Sequence, residues 1–403
     1  MAPQGQHPCR HFLFVTAPFG PFSRLLASDL RRAGARCTRV LLNGGDLADW
    51  GLRHAALYRE RPERWPAWIA DLLAREAVTD LLVFGDTHPY CVAAIREAQR
   101  QGLAVHVLEE GYFRPHWITL ERDGVNGNSR LPRDPQAYGH PALDDSGAPA
   151  APMKAGAASL AARMSWYFVA LYLCWPLFPH FRAPYAYSPP RQAAAHVARF
   201  LSRVAGRRRP ARDGGLAPGY FLALLQRPGD SQIVRHSPFK SVRQMIERSM
   251  ASFADHAPPD ARLVFKAHPL DHGIEPHHSV IAAAARRHGV EDRVAFVEHG
   301  DLEAMLDEAV GVVAVNSTAG IAALSRGRAT VVLGSAIYNL PGLTHQSGLD
   351  AFWSRPEAPD MALFERFRRG VIDRTQVNGA YASRAGARLA ARGVSVRLLS
   401  QNA

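Results

Sequence analysis

The chain predicts an α/β fold built as two successive units. Strand-length apolar runs alternate with helically spaced segments as far as Glu110, and the same alternation resumes at Tyr220. Between these stretches lies a segment of different composition, rich in Pro, Gly and Ala and then in aromatics. Strands alternating with helices imply parallel βαβ units with right-handed crossovers. At 403 residues the chain has room for roughly two or three domains.

The first unit opens with Phe12 to Ala17, an apolar run of strand length closed by the Pro18-Phe19-Gly20-Pro21 loop. Residues Phe22 to Ala33 carry Leu25, Leu26 and Leu30 at helical spacing. Arg39 to Leu42 is a second strand. It ends in Asn43-Gly44-Gly45-Asp46, a glycine loop without the GxGxxG order of a dinucleotide site. Trp65 to Glu76 reads as a helix, Asp80 to Gly85 as a strand ending at Asp86, Tyr90 to Gln101 as a helix, and Leu103 to Leu108 as the strand before Glu109-Glu110-Gly111. Three strands thus end in loops that bear acids: Asp46, Asp86 and the glutamate pair. On one sheet edge they make a polar cleft, and the carboxyl edge of an open α/β sheet is where ligands bind. Two adjacent acids repel each other's charge, which keeps one protonated near neutral pH and suits general acid/base work. Tyr112, Phe113, Arg114, His116 and Trp117 then supply aromatic walls and a cation within six residues. The plain alternative is a solvated turn with two surface acids.

The middle of the chain follows neither pattern. Pro132 to Lys154 reads as loop. Met164 to Phe181 is an uncharged aromatic run interrupted by Pro176 and Pro179 and bracketed by Arg163 and Arg182. Three readings stand for it: a helix buried between domains, an interfacial membrane element, or a span. Arg199, Arg203 and Arg207 to Arg209 follow, either as a solvated linker or as a basic run for anionic lipid. The formal charge of the whole chain is +12. That balance favours anionic partners without choosing among nucleic acid, membrane and phosphorylated substrates. The interleaved aromatic and basic strands of an RRM-type nucleic-acid binder are lacking. The four cysteines (Cys9, Cys37, Cys91, Cys174) form no CxxC pair, which argues for a reducing compartment and against a zinc site. The first residues are polar with no signal-peptide core, so the cytoplasm is expected.

The second unit begins at the strand Tyr220 to Leu225, leading to Gln226-Arg227-Pro228-Gly229-Asp230-Ser231-Gln232. A helix over Ser241 to Ala254 precedes the strand Arg262 to Lys266, which ends in Lys266-Ala267-His268-Pro269. Ser279 to His288 reads as helix, Arg293 to Val297 as strand, Leu302 to Ala309 as helix, and Gly311 to Val315 as a buried strand ending in Asn316-Ser317-Thr318. Helix Ile321 to Arg326, strand Thr330 to Leu333 and a C-terminal helix over Glu365 to Gln401, with a break near Asn378-Gly379, complete the chain. Free backbone N–H groups where a strand meets a helix favour phosphate, and the hydroxyls of Ser317 and Thr318 add donors. Ser317 also fits an ordinary N-cap. His268, locked by Pro269, suits a phosphate oxygen, with Lys266 as a compact charge. A hydrogen-bonded structural histidine fits the same dipeptide.

The combination is more specific than its parts. An acidic-acidic-Gly motif followed by His-Pro and then Ser-Ser/Thr resembles bacterial transferases that use CMP-activated sialic acid or Kdo. The longer strings APFGPFSRLLASDLRRAG, LNGGD, LVFGDTHPY, VHVLEEGYFRPHWITLERDGVNGNS, QRPGDSQIVRHSPF, FKAHPLD, VNSTAGIAAL and GSAIYNLPGLTHQ resemble the KpsS/LipB capsule polysaccharide family over roughly residues 12–138 and 219–353. That resemblance implies a GT-B-like architecture, two Rossmann-like α/β domains facing a central cleft. The division expected is 1–138 for an acceptor-side domain, 139–218 for a linker, 219–354 for a CMP-sugar domain and 355–403 for a helical tail. It also implies a retaining β-Kdo transferase of Gram-negative bacteria that carries Kdo from CMP-β-Kdo to lyso-phosphatidylglycerol on the cytoplasmic face of the inner membrane, alongside other capsule assembly proteins.

The resemblance assigns roles residue by residue. Asp230 is the nucleophile, with turn-capping at Pro228-Gly229 as its plain alternative. Glu110 is the acid/base group and Glu109 the second choice. Arg114 is placed on the sugar carboxylate by bidentate geometry. Gln226, Ser231, Lys266, His268, Asn316, Ser317 and Thr318 form the donor site, and Asn43, Asp46, Asp86 and His88 lie on the acceptor side. No metal or cofactor is expected, because a single-phosphate leaving group can be stabilised by Lys, His and backbone donors. A sialyltransferase and a non-catalytic export or scaffold protein are the rival readings.

Overall fold

The computed structural model describes residues 9–139, 157–183, 217–229, 231–269, 271 and 274–400, and these form two α/β units. Residues 9–130, 157–183 and 371–400 pack as unit 1, and residues 131–139 with the described part of 217–370 pack as unit 2. Asp230 and the arginines at 199, 203 and 207–209 lie outside the described residues.

The chain enters unit 1 through β1 (His11–Phe14), α1 (Phe22–Arg32), β2 (Arg36–Leu41), α2 (Gly44–Trp50), β3 (Ala55–Leu57), α3 (Trp65–Arg75), β4 (Asp80–Phe84), α4 (Pro89–Arg100), β5 (Ala104–Glu110), β6 (Trp117–Arg122) and α5 (Ala157–Leu173). Three of these differ from the sequence reading, which has no counterpart of the short strand β3. The Asn43-to-Asp46 glycine loop is the start of a helix: the Asn43 side chain accepts from the N–H groups of Gly45 and Asp46, the usual work of an N-cap. The segment after the glutamates turns back as β6, antiparallel to β5, with Glu109 opposite Thr119 and Glu110 opposite Ile118.

Unit 2 runs β7 (Tyr220–Leu224), α6 (Ser231–His236), α7 (Val242–His256), β8 (Leu263–Lys266), α8 (His277–His288), β9 (Val294–Val297), α9 (Leu302–Glu308), β10 (Ala309–Ala314), α10 (Ala319–Ser325), β11 (Ala329–Val332) and α11 (Gly348–Phe352). Helix α12 (Met361–Thr375) leads to β12 (Gln376–Asn378) and α13 (Arg384–Ser400).

These last elements correct the expected helical tail. The break near Asn378 is a strand that pairs antiparallel with β6, Val377 opposite Ile118. The face of α13 bearing Ala387, Ala390, Ala391 and Val394 shares a core with Phe22, Leu26 and Leu30 of α1. At the other end Arg10 donates to the Leu398 carbonyl (2.5 Å) while also pairing with Asp80. Small side chains let the two helices approach closely, so the tail belongs to unit 1.

The sheet of unit 1 has the order β12-β6-β5-β4-β1-β2-β3, parallel from β5 to β3. That of unit 2 is β11-β10-β7-β8-β9, parallel throughout. Each parallel core therefore carries the doubly wound order, with the first strand central and the direction of winding reversed beside it. Apolar residues fill both faces, as buried parallel strands require. Two Rossmann-like units in succession agree with the GT-B-like class that the sequence predicts.

The aromatic run is divided by α5. Tyr167, Ala170 and Leu171 are buried, and the helix sits close on α2 because a side-chain carbon at Gly44 would fall 2.2 Å from the Ala170 carbonyl oxygen and one at Gly45 would fall 2.4 Å from the Tyr167 ring. Among the described residues no helix is long and apolar enough to cross a membrane.

Candidate functional site

The carboxyl edge of unit 1 brings together most of the acids that the sequence singles out. Glu109 and Glu110 are the last residues of β5, still within its ladder with β6. Successive strand residues point to opposite faces. Glu110 therefore shares a face with Leu108, whose core includes Tyr381, while Glu109 shares one with Val107. The two carboxylates are neighbours in sequence but not a side-by-side pair. This changes the cause of their raised pKa values. Burial is the largest influence on both, pushing Glu109 up to about 7 from an ordinary 4.5, with the Glu110 charge a lesser contribution and Arg114 opposing. Glu110 is also raised, by burial against the pull of Arg114. Mutual repulsion, the sequence-based expectation, is secondary.

Both glutamates are held from the backbone outward. The Glu110 N–H donates to Glu109 Oε1 (3.0 Å), Thr119 Oγ1 donates to the Glu110 carbonyl (3.0 Å), and Tyr381 OH donates to the Glu109 carbonyl (3.3 Å). Gly111 makes the turn possible, since a side-chain carbon there would lie 2.0 Å from the Trp117 carbonyl oxygen. Arg114 is exposed, its Nε donating to the Gly111 carbonyl (3.2 Å), so the guanidinium stands beside the acids at the surface.

Several supporting residues were not anticipated. Tyr112 OH donates to Glu121 Oε1 (2.6 Å) and accepts from the Asn126 N–H (2.8 Å), and Ser129 donates to the other Glu121 oxygen. The Tyr112 N–H donates to Gln376 Oε1 (2.9 Å), whose amide nitrogen donates to Thr119 Oγ1 (3.0 Å). Gln376 is 264 residues from Tyr112 in the chain, and nothing in its local sequence marks it.

The acceptor-side candidates separate. Asp86, after β4, is buried; its Oδ2 accepts from the Val125 N–H (2.9 Å) and from Asn128 Nδ2 (3.0 Å), and its Oδ1 has no hydrogen-bond partner. It acts on Glu109 through its charge. His88 caps α4 through Nδ1, which accepts from the Tyr90 N–H (3.1 Å), and burial pushes its pKa down to about 4, so the ring is neutral. Asn43 and Asp46 are taken up by the frame of the unit. Asp46 accepts from Arg39 (2.8 Å), Tyr167 OH (3.1 Å), the Leu42 N–H (3.1 Å) and Asn43 Nδ2 (3.2 Å). Four donors fill its lone pairs, and Arg39 is itself fully buried, so both residues have a structural part in the frame of the unit.

In unit 2 the donor candidates collect at the carboxyl ends of β7, β8 and β10. Gln226 follows β7 and Asn316 follows β10, the two strands between which the winding reverses. Gln226 Nε2 donates to Asn316 Oδ1 (2.8 Å), and Asn316 Nδ2 donates to the Gln232 carbonyl (3.0 Å), which fastens the start of α6 to the sheet. Lys266 is buried, with Nζ donating to the Ala267 carbonyl (3.1 Å). His268 is half-buried, and its carbonyl accepts from the Asp271 N–H (3.0 Å). Asp271 is in turn buried against His277, 3.1 Å from Nε2, a pair that the sequence reading missed. Ser317 Oγ accepts from the Ala319 N–H (3.2 Å), while the helix cap proper is Thr318, whose side chain makes no capping bond. Helix α10 has only 7 residues, so its dipole adds less than the sequence suggests. The side chain of Ser231, like Asp230, lies outside the described part. Among the described residues no group of three or more His, Cys, Asp or Glu could hold a metal ion.

Residues 79–381 match the family described as capsule polysaccharide biosynthesis protein. The chain is 35% identical over 378 residues to the capsule polysaccharide export protein KpsS of Escherichia coli, covering 92% of this chain and 97% of that one. It is 31% identical over 387 residues to the capsule polysaccharide modification protein LipB of Neisseria meningitidis serogroup A, covering 93% and 92%. Among solved structures it is similar to the β-Kdo 2,7 transferase KpsC of Thermosulfurimonas dismutans, with 16% identity and a TM-score of 0.44 over 98% of this chain and 100% of that one.

Proposed function

The chain belongs to the capsule polysaccharide biosynthesis protein family, and from that premise we propose that it transfers β-Kdo from CMP-β-Kdo to lyso-phosphatidylglycerol, starting the oligo-Kdo linker of a capsular polysaccharide. The observation that carries this reading is the glutamate pair ending β5. Loss of solvent raises both carboxyls, Glu109 to about 7 and Glu110 in the same direction, and a carboxyl raised toward neutrality takes and returns a proton there, the property that acid/base catalysis of sugar transfer needs. Glu110 is assigned to the proton of the acceptor hydroxyl, with Glu109 as second choice, and Arg114 to the sugar carboxylate.

Retention of the β configuration is assigned to two displacements. Asp230 attacks the anomeric carbon of Kdo and CMP departs. The acceptor hydroxyl, giving its proton to Glu110, then displaces the carboxylate. Gln226 and Ser231 flank the nucleophile in sequence, and Lys266, His268, Asn316, Ser317 and Thr318 hold the CMP phosphate without recourse to a metal. Asp86 and His88 remain on the acceptor side. The protein works peripherally on the cytoplasmic face of the inner membrane, where its lipid acceptor lies, with other capsule assembly proteins.

Mass analysis of the lipid formed from CMP-Kdo and lyso-phosphatidylglycerol tests the reading: a product heavier by one Kdo is expected. Product only from CMP-sialic acid would make the chain a sialyltransferase. The name of the Escherichia coli relative speaks of export. A chain that binds the lipid and releases no CMP would fit that non-catalytic role instead.

A further inference from the structure

One helix of unit 1 leaves an apolar face bare. Tyr167, Ala170 and Leu171 hold α5 to the unit. On its outer side and in the turn that follows, Trp166 (59% exposed), Val169, Tyr172, Leu173 (72%), Trp175 (58%) and Leu177 stand in solvent. Trp166, Val169 and Leu173 recur at i, i+3 and i+7, one stripe of the helix. No charged residue occurs between Met164 and Phe181. Scattered surface apolar groups are ordinary, but a contiguous run that includes two tryptophans marks an interaction site.

The kind of partner follows from residue type and charge. Trp and Tyr combine an apolar body with a polar tip and favour the lipid–water boundary. The apolar run is bracketed in sequence by Arg163 and Arg182, and Arg59 and Arg182 are exposed beside it, with Glu63 next to Arg182. Arg59 is tied to the patch by its bond to the Leu177 carbonyl (3.0 Å), and Arg182 lies 3.7 Å from Glu63. An uncharged aromatic face bordered by Arg59 and Arg182, on a chain of formal charge +12, matches an anionic bilayer better than another soluble protein.

The position of the helix matters as much as its face. Phe19, in the loop after β1, packs edge-on against Tyr167 at 4.7 Å, and Tyr167 bonds to Asp46 after β2, so α5 covers the carboxyl edge of the sheet. Arg163 of α5 donates to the Ala382 carbonyl, one residue from Tyr381, whose hydroxyl holds the Glu109 carbonyl. We propose that the outward face of α5 and the turn after it dock on an anionic phospholipid bilayer, seating the sheet edge that carries Glu109 and Glu110 at the lipid–water boundary. A lipid acceptor then reaches the acids without leaving the membrane; to that extent the inference rests on the reading above.

Vesicle sedimentation of the full chain tests the surface. The parent is expected to bind phosphatidylglycerol-containing vesicles, less so at raised salt, and to bind pure phosphatidylcholine poorly. Trp166→Ser with Trp175→Ser, and separately Leu173→Glu, should each lower the bound fraction about tenfold with thermal unfolding unchanged. Variants that bind as the parent does, a parent that binds neither vesicle, or a change confined to oligomeric state in solution would overturn the docking. CMP release with lysolipid dispersed in detergent separates the two readings. Equal release by parent and tryptophan variant supports a surface used for docking alone. A parent that binds vesicles but releases no CMP leaves the docking standing and removes the transferase.

Discussion

Units 1 and 2 wind their parallel strands in the same order but furnish the carboxyl ends differently. In unit 1 those ends carry acids, the buried Asp86 and the half-buried Glu109 and Glu110, and β5 is prolonged into a hairpin whose far strand is braced by β12. In unit 2 they carry amides, hydroxyls, a lysine and a histidine, with Gln226 and Asn316 bonded across the point where the winding reverses. One scaffold thus carries two sets of groups: carboxyls at one edge, and amides, hydroxyls and cations able to donate hydrogen bonds at the other. The difference teaches that the doubly wound order fixes where a ligand-facing edge lies, while a few loop residues decide what the edge can do.

If the division of labour holds, variants of the two edges should fail in opposite ways. The largest effect is expected from Glu110→Gln, which should lower transfer by about 10²- to 10⁴-fold while CMP still inhibits as in the parent. Asp230→Asn should likewise abolish transfer and spare CMP binding; an Asp230→Ala protein that keeps more than a few per cent of its rate would return the nucleophile to the acids of unit 1.

Next in size is Asp46→Ala. It strands a fully buried Arg39 and should cost about 3–5 kcal/mol of stability, read from denaturant unfolding. A stable Asp46→Ala protein that has lost only its acceptor affinity would restore Asp46 to the acceptor side and blur the line between frame and chemistry.

Glu109→Gln sharpens the contrast through pH. The folded protein keeps a proton on Glu109 up to about 7, whereas the unfolded chain releases it near 4.5. Between those values the folded state binds more protons, so stability falls as pH rises through the window and then levels off. Removing the carboxylate should therefore stabilise the protein at pH 8 by up to about 3 kcal/mol and leave it unchanged at pH 4. Equal unfolding curves of variant and parent at pH 8 would show that the group is not strained by burial.

The smallest effects belong to the anion-binding residues of unit 2, Asp230 standing apart from them. His268→Ala, or Ser317→Ala with Thr318→Ala, should weaken inhibition by CMP by roughly 1.5–3 kcal/mol per lost charged bond, with folding intact. Unchanged inhibition in both would remove the phosphate from this edge.

Composition and periodicity carried the sequence a long way. Alternating apolar runs located the strands of both parallel cores except the three-residue β3, because a strand buried on two faces must be apolar throughout. The acids at Asp86, Glu109 and Glu110 and the polar residues after β7, β8 and β10 were legible because a strand's end is marked by the change from apolar to polar. What the sequence could not decide were matters of partner and direction. Asp46 looks like Asp86 in the string, but Arg39, Tyr167 and two local N–H and amide donors fill its oxygens. Glu109 and Glu110 look like a repelling pair, but strand alternation sends them to opposite faces and burial governs their protons. Gln376 and Tyr381, which brace the acid hairpin, arrive from the far end of the chain through β12 and the approach to α13. Tyr167 and Trp166 are adjacent aromatics, yet the helical turn over Gly44 and Gly45 buries one and exposes the other. Local sequence determined which residues end each strand; only the packing of distant segments determined which of those side chains remain for chemistry, because a polar group's role depends on what else is close enough to bond to it.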